Sequence, residues 1–232
     1  MESVSWKGRL GPFELKLGRE TFAPSTVSKL VADALTIEPG DTVIDVGTGT
    51  GVLAIIAAKL GAARVYATDA SADTVEIGAA NAEPLEVADR ITFLQGDLFD
   101  PIPGDITADV VIGDVSGIPD SIAAESGWFP TKTGGGPRGS ELPIRMLQDA
   151  ARRLRPGGRL FLPTGTLQDE TAILDTARSL YARLRQVTDR VIPLPNAIAE
   201  SGKTRDLIDA GVVQLVPRGS RFVWEARVWE IT

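Results

Sequence analysis

The chain has 232 residues, a length for one large domain with a full core, and its 43% hydrophobic and 24% charged content is ordinary for a globular protein. It carries 31 acidic against 24 basic side chains, and residues 1–149 hold 22 acids against 11 bases, a balance that argues against a nucleic-acid partner held by charge. It has no cysteine and no histidine, which excludes disulfides, thiolate chemistry and any imidazole base or ligand, and it has no membrane-spanning apolar run or signal pattern, so the expected location is cytoplasmic.

Residues 1–22 alternate weakly around Gly8 and Gly11-Pro12. They read as a hairpin of Val4–Lys7 and Phe13–Leu17, an N-terminal lid or edge on a main domain of residues 23–232. Ser25 is placed to cap a helix from Thr26 to Leu35, in which Val27, Leu30, Val31 and Ala34 recur at helical spacing.

Pro39-Gly40-Asp41 then turns the chain into Val43-Ile44-Asp45-Val46, a β-branched run suited to a strand covered on both faces. Gly47-Thr48-Gly49-Thr50-Gly51 follows, and the alanine-rich segment from Val52 is a good helix former. Glycines at alternate positions open one side of this turn to a ligand. A dinucleotide fingerprint needs Gly-x-Gly-x-x-Gly, and Val52 stands where its last glycine belongs. Asp45, two residues before the first glycine, is a poor neighbour for a pyrophosphate and suits a ligand carrying a cation.

Gly61 closes that helix. Val65–Asp69 is a second strand ending in an acid, placed to grip a ribose through its hydroxyls with Ala70 beside it, or to cap a helix over Ser71–Asn81. Arg90–Gln95 is a third strand, followed by Gly96-Asp97-Leu98. Ala108–Ile112 is a fourth, leading to Asp114 at the carboxyl edge where open α/β sheets do their chemistry.

Residues 116–140 read as a glycine-rich loop over a substrate pocket, with Ser116, Trp128 and Phe129 as candidate lining; the aromatics could equally anchor the loop to the core. Gly134-Gly135-Gly136 lacks the strand-to-helix setting and the lysine of a phosphate loop. Ser140 starts the next helix, with Ile144, Leu147, Ala151 and Leu154 on its apolar face. Arg155-Pro156-Gly157-Gly158 leads to a fifth strand over Arg159–Leu162. A helix over Leu167–Tyr181, a strand over Leu184–Ile192 and a short helix to about Gly211 follow. Val212–Pro217 and Arg221–Ile231 read as a closing hairpin.

The Gly-x-Gly-x-Gly turn, Asp69, Asp97, Leu154-Arg155-Pro156-Gly157-Gly158 and the closing antiparallel strand together resemble the class I S-adenosylmethionine-dependent methyltransferases, and most closely the glutamine-N5 release-factor and ribosomal-protein methyltransferases. The resemblance spans residues 20–232. It implies a three-layer Rossmann-like sheet, mostly parallel with an antiparallel C-terminal strand. It implies S-adenosylmethionine as cofactor, S-adenosylhomocysteine as product and no metal. Asp45, Gly47, Thr48, Gly49 and Gly51 would lie along the methionine part, Asp69 and Ala70 at the ribose, and Asp97 and Leu98 at the adenine. Thr26 and Phe22 would lie beside the cofactor. Asp114 would orient or deprotonate the acceptor for in-line displacement.

The sequence departs from that group at its acceptor motif. Where those enzymes carry Asn/Asp-Pro-Pro-Tyr/Phe, this chain reads Asp114-Val115-Ser116-Gly117, which keeps the acid and loses both prolines and the aromatic. With no separate recognition domain and no basic patch, the expected acceptor is a nitrogen or oxygen of a small molecule. The alternatives are a protein or peptide side chain, a non-catalytic cofactor-binding subunit, or a nicotinamide-dependent reductase.

Overall fold

The computed structural model describes residues 2–129 and 134–232; positions 130–133, in the middle of the loop expected over 116–140, lie outside the described residues. Two strands, β1 (Glu2–Trp6) and β2 (Phe13–Leu17), pair antiparallel as a small sheet of their own. This hairpin is part of the main core, because Trp6 and Leu15 are fully buried among residues of the central sheet and its helices. Arg9 pins it further by donating to the carbonyls of Ala32 and Leu35 at 3.1 and 2.6 Å.

The remaining strands form one sheet: β3 (Thr42–Val46), β4 (Arg64–Asp69), β5 (Ile91–Gln95), β6 (Ala108–Ile112), β7 (Leu154–Gly165), β8 (Leu184–Leu194), β9 (Val216–Arg218) and β10 (Arg221–Ile231). Their order is β5-β4-β3-β6-β7-β10-β8, with β9 beside the start of β10. The pairs from β5 to β7 are parallel, and β10 runs antiparallel between β7 and β8. Sequence order leaves β3 in both directions, toward β4 and toward β6, which opens a crevice at the carboxyl ends of these strands.

The helices are α1 (Thr26–Ala34), α2 (Val52–Leu60), α3 (Thr74–Ala82), α4 (Asp120–Ser126), α5 (Glu141–Arg153), α6 (Glu170–Leu180), α7 (Asn196–Ala199) and α8 (Gly202–Asp209). Alternate residues of β3 divide the core: Val43 packs with α1 and α2 on one face, Ile44 and Val46 with α5 and α6 on the other. The result is the expected three-layer, mostly parallel α/β sheet with an antiparallel C-terminal strand. No helix among the described residues is long and apolar enough to cross a membrane.

Several local expectations change. Helix α3 starts at Thr74 rather than Ser71, because the Ser71 hydroxyl donates to Asp73 at 2.6 Å and Asp73 also accepts from Thr21 at 2.7 Å, which shapes a turn. The loop over 116–140 contains α4, whose Ile122 and Ala123 are buried and whose end is Gly127 in the left-handed region. On α5 the buried face is Pro143, Met146, Leu147 and Ala150, set against the sheet one position away from the expected stripe. Arg155–Gly158 is a bulge inside β7, between the Ala108–Leu154 and Val110–Arg159 pairs. The closing hairpin is short: β8 takes one edge of β10 along nearly its full length, β7 takes the other from Ala226 on, and β9 fills only what β7 leaves. Val212 and Val213 are buried with Leu167 and Leu194 instead of extending β9.

Candidate active site

The glycine turn leaves the end of β3 with Gly47, Gly49 and Gly51 all at positive φ. Each is there for a different neighbour. A Cβ on Gly47 would stand 3.1 Å from the Asp114 carbonyl, and one on Gly49 would stand 3.1 Å from the Phe22 carbonyl. A Cβ on Gly51 would stand 2.8 Å from the Phe93 ring. The turn is thus held between the segment after β6 and the segment before α1. Four of its five N–H donors are already taken: those of Gly47 and Thr48 both bond the Thr68 carbonyl at 2.9 Å, Gly49 N–H bonds Asp69 Oδ2 at 2.8 Å, and Gly51 N–H bonds the Thr48 carbonyl at 2.8 Å. A pyrophosphate would need these groups free, so the arrangement does not suit a dinucleotide.

A cavity of about 340 Å³ lies along the carboxyl ends of the parallel strands. Of the candidate cofactor residues, Gly47, Thr48, Gly49, Asp69, Ala70, Asp97 and Leu98 line it; of the acceptor candidates, Asp114, Ser116 and Phe129 do. Asp69 holds the end of β4 against the glycine turn, since its second oxygen accepts from Ser71 N–H at 2.9 Å. Asp97 is paired with Arg145 of α5 at 2.5 Å. Leu98 carries a φ of +46°, a strained conformation for a branched side chain, which turns the chain sharply at the wall of the site.

Four candidates fall outside the wall. Asp45 is fully buried beneath the turn, where its Oδ2 accepts the Thr48 hydroxyl at 2.6 Å. Gly51 faces Phe93 and serves packing of α2 on the sheet. Thr26 is exposed on the outer side of α1, and Ser25 and Ser28 line the cavity in its place because the helix starts there. Trp128 points to solvent, 36% exposed, while its neighbour Phe129 turns inward and stacks on Phe22 with ring centroids 5.0 Å apart.

A family model for the ribosomal protein L11 methyltransferases (PrmA) matches residues 24–117. A release factor glutamine methyltransferase of Rhodopirellula baltica is 37% identical over 138 residues, 55% of this chain and 46% of that protein. A ribosomal protein L11 methyltransferase of Geobacillus kaustophilus is 31% identical over 194 residues, 84% of this chain and 49% of that protein. In fold, the chain superposes on Methanocaldococcus jannaschii Trm5 in complex with adenosine with a TM-score of 0.61 and 12% identity, covering 99% of this chain and 55% of that one.

The chain has the fold of the class I S-adenosylmethionine-dependent methyltransferases, and its residues 24–117 match one of their family models.

It spans between 36% and 51% of the length of the curated relatives it matches. Asp45 within β3, Asp69 at the end of β4 and Asp114 after β6 place three carboxyl groups around the crevice. Burial pushes the Asp45 carboxyl up to about 7 against the Thr48 hydroxyl bond, and the charges of Asp114 and Asp69 add to the rise. Burial likewise raises Asp114 to about 6, opposed by a hydrogen bond from Ser28. Once ionised, such a set favours a ligand with positive charge over a phosphate.

Residues that the sequence did not single out complete the cavity. Glu20 and Ser28 come from the segments flanking Phe22, and Leu142, Thr164, Gln168 and Trp224 from α5, β7, the turn after it and β10. None sits in a local motif. Only sheet order brings them to one edge. The three consecutive glycines also acquire a role: Gly135 N–H bonds the Ile118 carbonyl at 2.7 Å and Gly134 N–H bonds Asp120 at 2.9 Å, bracing the segment after Asp114. Small residues are needed there, because a Cβ on Gly135 would stand 2.4 Å from the Ser116 carbonyl.

Proposed function

We propose that this chain methylates a protein or peptide side chain, with S-adenosylmethionine along the glycine turn and the acceptor over Asp114. The observation that carries the reading is the continuity of one cavity, from Asp69 and Asp97 at one end to Asp114 and Ser116 at the other. The named activities of the relatives, on ribosomal protein L11 and on release factor glutamine, favour a protein acceptor over the small molecule expected from composition.

The donor set fits the cofactor. Asp69 would take the ribose hydroxyls, Asp97 and the Leu98 backbone the adenine, and the crowded backbone of Gly47–Gly49 the methionine part. The buried Asp45 Oδ1, which has no hydrogen-bond partner among the described residues, offers a negative charge under that turn once the carboxyl ionises, above about pH 7. When bound, the cofactor supplies an electrophilic methyl on a positively charged sulfur. The protein's work is to hold the acceptor in line and dry, since positioning alone lowers such barriers by about 7–11 kcal/mol. Asp114 receives the proton that the acceptor nitrogen or oxygen loses as its new bond to carbon forms.

The test is methyl-labelled S-adenosylmethionine incubated with a bacterial protein extract and, separately, with a panel of small amines and hydroxy acids. Label recovered as a methylated amino acid after hydrolysis supports the proposal. Label confined to small molecules overturns the protein acceptor. No transfer to any acceptor overturns catalysis and leaves a cofactor-binding subunit.

A further inference from the structure

The acceptor end of the cavity holds two polar groups that the fold does not use. The Gln168 side chain, 7% exposed, follows β7 and lies over the segment after Asp114, and its Nε2 donates to nothing among the described residues. The Ser116 hydroxyl, two residues from Asp114, is buried and equally unpartnered. The neighbouring hydroxyl is fully committed: Thr164 donates to Glu170 at 2.7 Å and accepts from Trp229 at 2.8 Å. The carboxamide sits where it does only because residue 117 is glycine. A Cβ there would fall 2.0 Å from Gln168 Oε1. The same Gly117 stands where the enzymes the sequence resembles carry an aromatic side chain, so this wall of the cavity is hydrogen-bonding instead of flat and apolar.

Buried donors without partners are costly unless a ligand completes them. We propose that Gln168 and Ser116 determine acceptor specificity: they hold an oxygen of the acceptor, carbonyl, carboxylate or hydroxyl, while Asp114 faces the adjacent N–H or O–H. The inference rests on the methyltransferase reading of the site. It selects acceptors that carry an oxygen next to the nucleophilic atom and rejects plain alkylamines of the same size, because an alkylamine leaves both donors unpaired.

The test uses the full chain saturated with S-adenosylhomocysteine and needs no turnover. The side-chain amide signals of Gln168, assigned by their loss in Gln168→Met, are followed by NMR during titration with ethanolamine, glycinamide and n-propylamine. The expected result is a saturable shift with ethanolamine and glycinamide and none with n-propylamine. Gly117→Ala, whose Cβ displaces the carboxamide, is expected to abolish the discrimination while S-adenosylhomocysteine affinity stays within twofold. An equal response to all three probes, or none to any, overturns the proposal. If discrimination holds but no acceptor is ever methylated, the proposed function fails and the recognition site stands; if methyl transfer proceeds without discrimination, only this inference fails.

Discussion

Asp69 at the end of β4 reaches back to the glycine turn and accepts the Gly49 N–H at 2.8 Å, so the carboxylate proposed to hold the ribose also sets the backbone beside which the cofactor would lie. Removing it should therefore affect binding more than folding. Asp69→Ala is expected to cost about 1.5–3 kcal/mol of S-adenosylhomocysteine binding, the range for a hydrogen bond to a charged group, which is a loss of about ten- to a hundredfold in affinity. Isothermal titration measures it. An unchanged dissociation constant would remove Asp69 from the cofactor site.

Asp114 makes the opposite prediction. It lines the acceptor end, where burial raises its pKa and the nearby Ser28 hydroxyl opposes the rise. Asp114→Asn keeps the shape and cannot take up a proton. Turnover should fall by about 10²–10⁴-fold, the usual contribution of a positioned base, with cofactor affinity within about twofold. A variant with full turnover would show that the acceptor loses its proton elsewhere.

Gly51 tests the reassignment of that residue from cofactor contact to packing. At φ +83° and with Phe93 2.8 Å from where a Cβ would go, Gly51→Ala meets both backbone strain and overpacking. The strain alone is about 1–2 kcal/mol, and overpacking typically adds about 1–3 kcal/mol. Urea denaturation should show a destabilisation in that combined range. A Gly51→Ala protein of normal stability with lost cofactor binding would restore the original assignment.

The raised acids predict a pH dependence with a definite sign. Asp45 titrates at about 7 and Asp114 at about 6 in the fold, while an unfolded aspartate titrates near about 3.9. Between those values the folded chain holds protons that the unfolded chain has released. The contribution of these groups to stability is therefore intact below about pH 4 and is lost as the pH rises through about 6 to 7. Asp45→Asn, which can still accept the Thr48 hydroxyl, should gain stability over the native chain as pH rises from about 5 to about 8. Over the same window S-adenosylmethionine, with its positive sulfur, should gain affinity relative to neutral-sulfur S-adenosylhomocysteine. Melting curves and titrations across that range check both, and parallel curves for the native chain and the variant would contradict the first.

The sequence alone established most of the strands and helices and the end of the sheet where the candidate site lies. Strand, glycine turn and helix around Gly47–Gly51 follow from local composition, and Asp69, Asp97 and Asp114 mark the ends of successive strands, so their convergence follows once the strands are parallel. What it could not settle were relations between distant segments. Asp45 and Gly51 belong to the same motif as Gly47, yet the depth of the turn buries one and points the other at Phe93. Trp128 and Phe129 are adjacent, and only the position of Phe22 decides which of them lines the cavity. Gln168 is an ordinary turn residue until the sheet order lays it over Gly117. Local patterns report what each segment prefers by itself, because propensity and periodicity act over a few residues; which side chain meets which partner is decided by register, strand order and the space a missing Cβ leaves, and these exist only in the assembled fold.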